Sequence, residues 1–337
     1  MLFRSAISTS CSAARSALRK NALASVNLRQ YSATPKAPSS NVGLYFALGG
    51  VAGIAAWYSM GGFNGNMKLA ISQVNADSDE TALSSSAFNA LKLLEVKPYN
   101  HDSSIYVFEL PDNKRSGVFV ASAILVRGAE DEPKDGKGNP VFRPYTPISA
   151  PETKGIMELL IKHYPNGKMT EYLKTLKPGD QLRVKGPLPK FEYKPNEFDH
   201  IGLIAGGSGI TPIWQLISRI ASNPDDKTKA TVLYGNKAEE DILLRDKFDS
   251  LNKDPRFTIV HYLDNAPPNW QGGKGNIGAK DVQEKLPKPT ENTKIFVCGP
   301  PGLMNAVSGA KKSVTDQGPL VGVLAESGFK AEQVFKF

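Results

Sequence analysis

The segment Arg143-Pro144-Tyr145-Thr146-Pro147-Ile148-Ser149 gathers several chemistries in one short run. Pro144 and Pro147 favour a stiff, extended backbone, so Arg143, Tyr145 and Thr146 point in fixed directions. Arginine offers a planar fork of donors that suits a phosphate. Tyrosine offers a flat ring and a hydroxyl, and threonine a hydrogen bond at a reacting atom. Together they describe a site for a phosphorylated aromatic ligand; a proline-stiffened edge strand is the structural alternative. A second segment runs Lys162-His163-Tyr164 and then Gly167-Lys168-Met169-Thr170. Gly167 precedes a predicted helix over Thr170–Leu176, and Thr170 is its expected N-cap. Free N–H groups at a helix start attract anions. Two such elements in one domain point to a pyrophosphate. Lys168 serves equally well as a solvated surface lysine.

Later in the chain stands Gly206-Gly207-Ser208-Gly209-Ile210-Thr211-Pro212, a glycine turn with the pattern GxGxxP. On its own it is a weak nucleotide signal, since a tight turn needs the same glycines. Near the end comes Cys298-Gly299-Pro300-Pro301-Gly302. Cys298 has no visible base partner, so it reads as a small, polarisable neighbour and not as a nucleophile. The four histidines are scattered without ligand spacing, so no metal site is expected.

The elements that must hold these residues change in texture along the chain. From Lys92 to about Tyr193 come five short β-favouring runs (91–99, 104–111, 121–128, 157–164 and 181–188) with turn chemistry between them. That pattern predicts an antiparallel barrel. From His200 onward, apolar strands (HIGLIAGG, ATVLYGN, FTIVHYLDN, KIFVCGPPG) alternate with helical stretches, one of them over Pro212–Ala221. This predicts a parallel sheet that binds ligands at its strand carboxyl ends. The expected fold is therefore α+β with two domains, 88–195 and 196–337.

Composition limits the rest. With 337 residues, 40% hydrophobic and 22% charged, the chain can build two cores. Mean hydropathy of −0.29 argues against a polytopic membrane protein. Two cysteines exclude a disulfide scaffold. The net charge of +8 invites a nucleic-acid reading, but its distribution removes it. Seven basic residues (Arg4, Arg15, Arg19, Lys20, Arg29, Lys36, Lys68) precede the first acid, Asp77, and the remaining chain is nearly neutral. Residues 1–35, rich in Arg, Ser and Ala, have the composition of a mitochondrial targeting sequence. Residues 42–60 carry no charge, with Tyr45, Trp57 and Tyr58 near the ends, and predict a single transmembrane anchor. Residues 61–87 read as a polar tether.

The order RPYTPIS, GKMT, GGSGITP, CGPPG and a closing Phe resembles the ferredoxin–NADP reductase superfamily over about residues 90–337. Within it the chain is most similar to the NADH–cytochrome b5 reductases, in particular their mitochondrial, fungal-type members. The resemblance implies a flavin-binding barrel followed by a nicotinamide-nucleotide domain, with FAD and NADH as cofactors. It implies hydride transfer from NADH to FAD, then single-electron transfer to a cytochrome b5-like haem protein. By resemblance, Arg143 holds a flavin phosphate, Tyr145 packs on the ring, and Thr146 hydrogen-bonds its reacting edge. Pro144, Lys162, Tyr164, Gly167, Lys168, Met169 and Thr170 fall on other flavin-contacting positions. Gly206, Gly207, Ser208, Gly209, Thr211 and Pro212 form the nucleotide loop, with Thr211 also toward the flavin. Cys298, Gly299 and Pro300 fall beside the nicotinamide, and Phe337 is expected as a gate, with a frayed tail as the rival reading. Thr146, Lys162 and Cys298 are the expected catalytic-site residues.

The departure from relatives is Pro165-Asn166, where they carry a longer loop. Asp264, following the strand at 257–263, favours NADH by repelling a 2′-phosphate, with an ordinary turn residue as the alternative; Lys237 nearby is the complication unless it is simply solvated. Lys162, Lys168 and Lys185 are the expected basic residues facing an acidic acceptor. The leader and anchor fit the mitochondrial outer membrane with a cytosolic body, the intermembrane space after cleavage, or both. An NADPH-dependent reductase and a tethered nucleotide-binding module without turnover are the rivals.

Overall fold

The strands expected between Lys92 and Tyr193 pair as one antiparallel sheet in the computed structural model, which describes residues 81–337. In chain order they are β1 (Asn89–Asn100), β2 (Ser103–Glu109), β3 (Ser122–Gly128), β4 (Arg143–Tyr145), β5 (Ile156–Lys162) and β6 (Gln181–Pro189). Their spatial order is β4-β3-β6-β1-β2-β5. Alternation drives the curl: Leu91 and Leu93 of β1 face inward while Lys92 and Leu94 face out. Inward residues from every long strand, with Tyr106, Phe108, Met157 and Val184 among them, make one core. The two outer strands approach where the Ile148 amide, just past β4, donates to the Glu158 carbonyl of β5 at 2.9 Å.

The barrel begins earlier than the sequence suggests. Residues 81–87, read as the end of the tether, belong to it. Ala82 and Leu83 are buried in its core, and the Ala82 amide donates to the Arg115 carbonyl at 2.8 Å. Ser84 accepts from the Gly186 amide. The polar run that follows hid this attachment. The proposed targeting sequence (1–35), anchor (42–60) and remaining tether (61–80) lie outside the described residues. Among the described residues no helix is long and apolar enough to cross a membrane.

One helix, α1 (Lys168–Thr175), interrupts the barrel. Its N-cap is Gly167, with no side-chain cap, and not Thr170. Thr170 lies inside the first turn, where its hydroxyl donates to the Gly167 carbonyl at 2.9 Å. The first-turn N–H groups are thus left open to a ligand.

The second half is a six-stranded sheet of β7 (His200–Gly206), β8 (Lys229–Asn236), β9 (Phe257–Leu263), β10 (Gly273–Lys274), β11 (Thr293–Cys298) and β12 (Val334–Lys336). Its order is β10-β9-β8-β7-β11-β12, and every pairing is parallel. The central strands are buried on both faces, which explains their unbroken apolar runs. Helix α2 (Ile210–Ser222) starts two residues before the expected Pro212. It buries Ile210, Ile213, Leu216, Ile217 and Ile220 on one face, each contributing about 1.5–3 kcal/mol of transfer free energy. Helices α3 (Arg245–Leu251), α4 (Ala279–Lys285), α5 (Pro301–Val307) and the single turn α6 (Val323–Glu326) complete the layers.

The two halves share a core. Ile148 and Leu160 of the barrel pack in the same cluster as the α2 residues. Polar contacts reinforce the seam. The Trp214 indole donates to the Ile148 carbonyl at 3.1 Å, and Ser122 donates its amide to Gln215 Oε1 at 3.2 Å.

Candidate functional site

Arg143 and Tyr145 open the site because β4 is only three residues long and carries Pro144 between them. A short edge strand exposes the Arg143 side chain, whose one hydrogen bond among the described residues runs to the Phe142 carbonyl at 2.8 Å. Its other donors remain free for an anion. Tyr145 packs against the barrel core, and burial pushes its hydroxyl well above the usual phenol range. The ring is therefore a fixed, neutral wall. Thr146 follows at the rim, and its hydroxyl has no partner among the described residues.

The glycine loop forms a single 3₁₀ turn, Gly207–Gly209, between β7 and α2. Gly207 has φ of +50°, a left-handed conformation that favours glycine. Gly209 matters through proximity: a Cβ there would lie 2.3 Å from the Cys298 carbonyl oxygen and 2.8 Å from the Gly299 nitrogen. The loop and the end of β11 touch backbone to backbone, so Cys298, Gly299 and the α2 start form one surface. Cys298 is a free thiol, and burial pushes it up to about 12. It is uncharged at neutral pH and is no nucleophile.

These two surfaces face a common cavity of about 860 Å³. The barrel lines it with Arg143, Pro144, Tyr145, Thr146, Lys162 and Tyr164, and with Gly167 through Thr170 at the α1 start. The second domain lines it with Ser208, Gly209, Thr211, Pro212, Cys298, Gly299, Pro300 and Phe337. Tyr164 and Ser208 join across it, hydroxyl to hydroxyl, at 2.7 Å. Phe337 stacks on Phe296 at 5.9 Å between centroids, and its amide donates to the Val297 carbonyl. It is anchored beside β11 as the neighbour of β12, not frayed. The free guanidinium, the uncapped helix start, the neutral aromatic wall and the cavity volume fit an FAD.

Three expected residues stand elsewhere. Gly206 and Gly207 form the turn without lining the cavity. Asp264 lies beyond it at the carboxyl ends of β8 and β9, where its amide donates to the Asn236 carbonyl at 3.0 Å.

Lys162 lines the cavity, but its ammonium is already occupied. It pairs with Asp102 of the β1–β2 turn at 2.5 Å and with Asp241 of the nucleotide domain at 2.9 Å. Burial opposes its charge, but these hydrogen bonds outweigh that and raise its pKa. For Asp102 burial acts upward, yet Lys162 and Ser103 draw its pKa below the usual range. His101 Nε2 lies 3.5 Å from Asp241. His101, Asp102 and Asp241 bring ligand atoms within 4.8 Å of one another, as a metal site would, but the cation among them is Lys162. Alongside, Asn100 donates to the Glu240 carbonyl at 2.8 Å and Leu244 donates its amide to the Tyr99 hydroxyl at 2.7 Å. This group clamps the barrel's first hairpin to the nucleotide domain.

The expected basic docking face loses two members to this geometry. Lys162 is sequestered by carboxylates. Lys185 is buried, donating to the Ser86 carbonyl at 3.2 Å, because the alternation of β6 gives way to burial on both faces. Lys168 remains exposed and reaches the Lys134 carbonyl.

Sequence reasoning missed Lys190, Lys311 and Ser313, which also line the cavity. Lys190 follows β6. Lys311 and Ser313 ride on the loop after α5. That loop is fixed by Lys336 of β12, a buried lysine donating to the Gln317 and Pro319 carbonyls at 2.8 and 2.9 Å. Only the folded chain brings these together.

Comparison with known proteins matches residues 90–193 to an oxidoreductase FAD-binding domain and residues 203–309 to an oxidoreductase NAD-binding domain. The chain is 49% identical to the NADH-cytochrome b5 reductase 2 of Mycosarcoma maydis over the full length of both. It is 42% identical to an NADH-cytochrome b5 reductase-like protein of Arabidopsis thaliana, covering 87% of this chain and 90% of that one. Among solved structures, the cytochrome b5 reductase domain of Ulva prolifera nitrate reductase superposes with a TM-score of 0.66 at 29% identity, covering 76% of this chain and 99% of that domain.

Proposed function

The chain belongs to the NADH-cytochrome b5 reductase family of FAD- and NAD-binding oxidoreductases, and on that premise we propose that it passes electrons from NADH through FAD to cytochrome b5 or a similar haem protein. The observation that carries this reading is one cavity walled on one side by Arg143, Tyr145 and Thr146 and on the other by Cys298, Gly299 and Phe337.

Bound FAD supplies the ability to take a hydride and release electrons singly. The residues supply position. Arg143 and the open N–H groups of α1 hold phosphate oxygens. Tyr145 fixes the plane of the ring. Thr146 offers its free hydroxyl to the reacting edge. The contact of Gly209 with Cys298 and Gly299 fixes the nicotinamide-side surface as one wall of the cavity, and a fixed wall orients the reacting groups, where proximity and orientation lower the barrier. The neutral thiol of Cys298 fills space without competing chemistry. Phe337 keeps water from the reacting face. Asp264 disfavours a 2′-phosphate on the adenosine ribose. Lys162, held by two carboxylates from different domains, orients the halves around the cavity.

Residues 1–35 act as a mitochondrial address in this proposal, and 42–60 as one membrane anchor. What supports this is the acid-free basic leader and the uncharged 19-residue run. The body then faces the cytosol at the outer membrane, lies in the intermembrane space after cleavage, or both. Protease protection and alkaline extraction of isolated mitochondria test it; a protein released by alkali in full-length form would remove the anchor.

The activity is tested on the full chain purified in mild detergent, by its visible spectrum without oxygen. A yellow protein bleached quickly by NADH and poorly by NADPH is expected. Equal bleaching by both would favour an NADPH-tolerant reductase. A colourless protein that takes up no added FAD would leave a nucleotide-binding module.

A further inference from the structure

The cavity wall holds five cationic side chains, Arg143, Lys162, Lys168, Lys190 and Lys311, and no Asp or Glu side chain. Three of the five are accounted for. Lys162 is neutralised by Asp102 and Asp241, while Arg143 and Lys168 stand by the phosphate-suited start of α1. Lys190 and Lys311 remain. Among the described residues neither has a carboxylate within ion-pairing distance. The Lys311 ammonium donates only to the Lys336 carbonyl, at 3.0 Å, and lies over the Phe335 ring. Lys336, the nearby third lysine, turns its own ammonium away to Gln317 and Pro319. Burial lowers the pKa of both Lys190 and Lys311, and their mutual repulsion lowers Lys311 further. Two unneutralised, half-buried cations side by side cost free energy unless something anionic meets them.

Their position says which anion. Lys311 lines the cavity together with Cys298 and Phe337 and donates to the Lys336 carbonyl, one residue before Phe337, so it stands at the reacting end. Lys190 leaves the barrel wall where its amide bonds to the Ala121 carbonyl, next to Ser122. At that end the reaction itself creates charge. With FAD and NADH bound, transfer of a hydride, one proton with two electrons, would leave the nicotinamide cationic and would add one negative charge on the flavin side. Fixed cations there favour the reduced flavin and disfavour retention of the oxidised nicotinamide.

We infer that Lys190 and Lys311 form a cationic pole that stabilises the negative charge of the reduced flavin, setting its potential and not its phosphate anchorage. This rests on the reading of the cavity as a flavin site. The test is the flavin midpoint potential of the purified holoprotein, titrated with a chemical reductant and a reference dye, so that NADH is not required. Lys311→Met and Lys190→Met are each expected to shift the balance between reduced and oxidised flavin roughly tenfold toward oxidised, about 30 mV for two electrons. Lys311→Arg is expected to keep the wild-type potential, as is Lys312→Met on the exposed face of the same loop. Because the two lysines come from different domains, either variant suffices if the other fails to fold. Unchanged potentials in both methionine variants would overturn the inference. So would unchanged potentials with weakened NAD⁺ binding to the oxidised protein, which would give the lysines to the dinucleotide phosphates. A wild-type protein without flavin would instead overturn the cavity reading beneath it.

Discussion

Gly209→Ala tests the idea that backbone contact between the glycine loop and β11 sets the reacting geometry. The added Cβ would meet the Cys298 carbonyl oxygen at 2.3 Å and its carbon at 2.6 Å. Ordinary contact needs about 3.5 Å, so relief requires a separation of roughly 1 Å. No flexible side chain can yield, because the opposing atoms are backbone. Gly209 has φ of −63°, so the effect is steric and not a matter of backbone strain. Overpacking of this kind costs about 1–3 kcal/mol. For a body of this size, 2 kcal/mol lowers the melting temperature by roughly 4–8 °C. A 1 Å misplacement at the reacting end slows flavin reduction up to about 100-fold. Flavin content stays normal, since Arg143 and α1 are untouched. Stopped-flow bleaching by NADH without oxygen measures the rate. Gly207→Ala is the control: it carries the φ penalty of about 1 kcal/mol but meets nothing within 4 Å, so its reduction rate stays near wild type. A Gly209→Ala protein with wild-type melting and reduction rate would refute the reasoning.

Arg143→Ala removes charge-assisted hydrogen bonds worth about 1.5–3 kcal/mol each, so FAD affinity should fall at least tenfold. The flavin-to-protein absorbance ratio after gel filtration reports it, and an unchanged ratio would sink the phosphate assignment. Asp264→Ala should raise the NADPH-to-NADH ratio of kcat/KM about tenfold, roughly 1.4 kcal/mol; a ratio that stays put counts against its role. Asp241→Asn leaves Lys162 with one carboxylate and loosens the interdomain clamp, at a cost of about 1–2 kcal/mol read in urea unfolding. Its failure to move either stability or the KM for NADH would make the clamp irrelevant. The Lys311 pKa is lowered to about 8 in the folded chain, chiefly by burial and then by Lys190, against the usual 10.5 unfolded. The unfolded chain therefore binds more protons between those values, and folding gains stability as pH rises through them. Lys311→Met is expected to be stabilised relative to wild type near pH 7, with the gap closing by pH 10 in thermal melts of the oxidised holoprotein.

What the sequence revealed was local chemistry. Pro144 and Pro147 constrain the backbone around Tyr145, so Arg143 and Thr146 could be read from one short run. The glycine turn and Cys298-Gly299 were legible because each ends an unbroken apolar strand. What escaped depends on distant pairing. Lys190 and Lys311 are ordinary lysines until β6 and the loop after α5 meet. Asp102, Lys162 and Asp241 come from three segments with no shared motif. The two- and three-residue strands β10 and β12 are too short to show alternation. Thr170 was assigned as a cap because its hydroxyl suits that role, but its place within the first turn, behind Gly167, leaves the helix start free. Ser84 and its neighbours looked like tether because polar side chains hid a backbone already bonded to the barrel.

The shared apolar cluster has a consequence for how the body comes apart. Ile148 and Leu160 belong to the barrel chain yet pack with α2 and the parallel sheet. Separating the halves would strip those side chains, the Trp214–Ile148 bond and the Lys162 clamp together. A hinged pair of independent lobes would melt in two steps. Here loss of one lobe exposes apolar surface on the other, so unfolding is cooperative across the seam. Residues 81–337 are therefore expected to melt as one thermodynamic unit; a calorimetric scan should give a single peak whose van't Hoff and calorimetric enthalpies agree, and two resolved peaks would refute the shared seam.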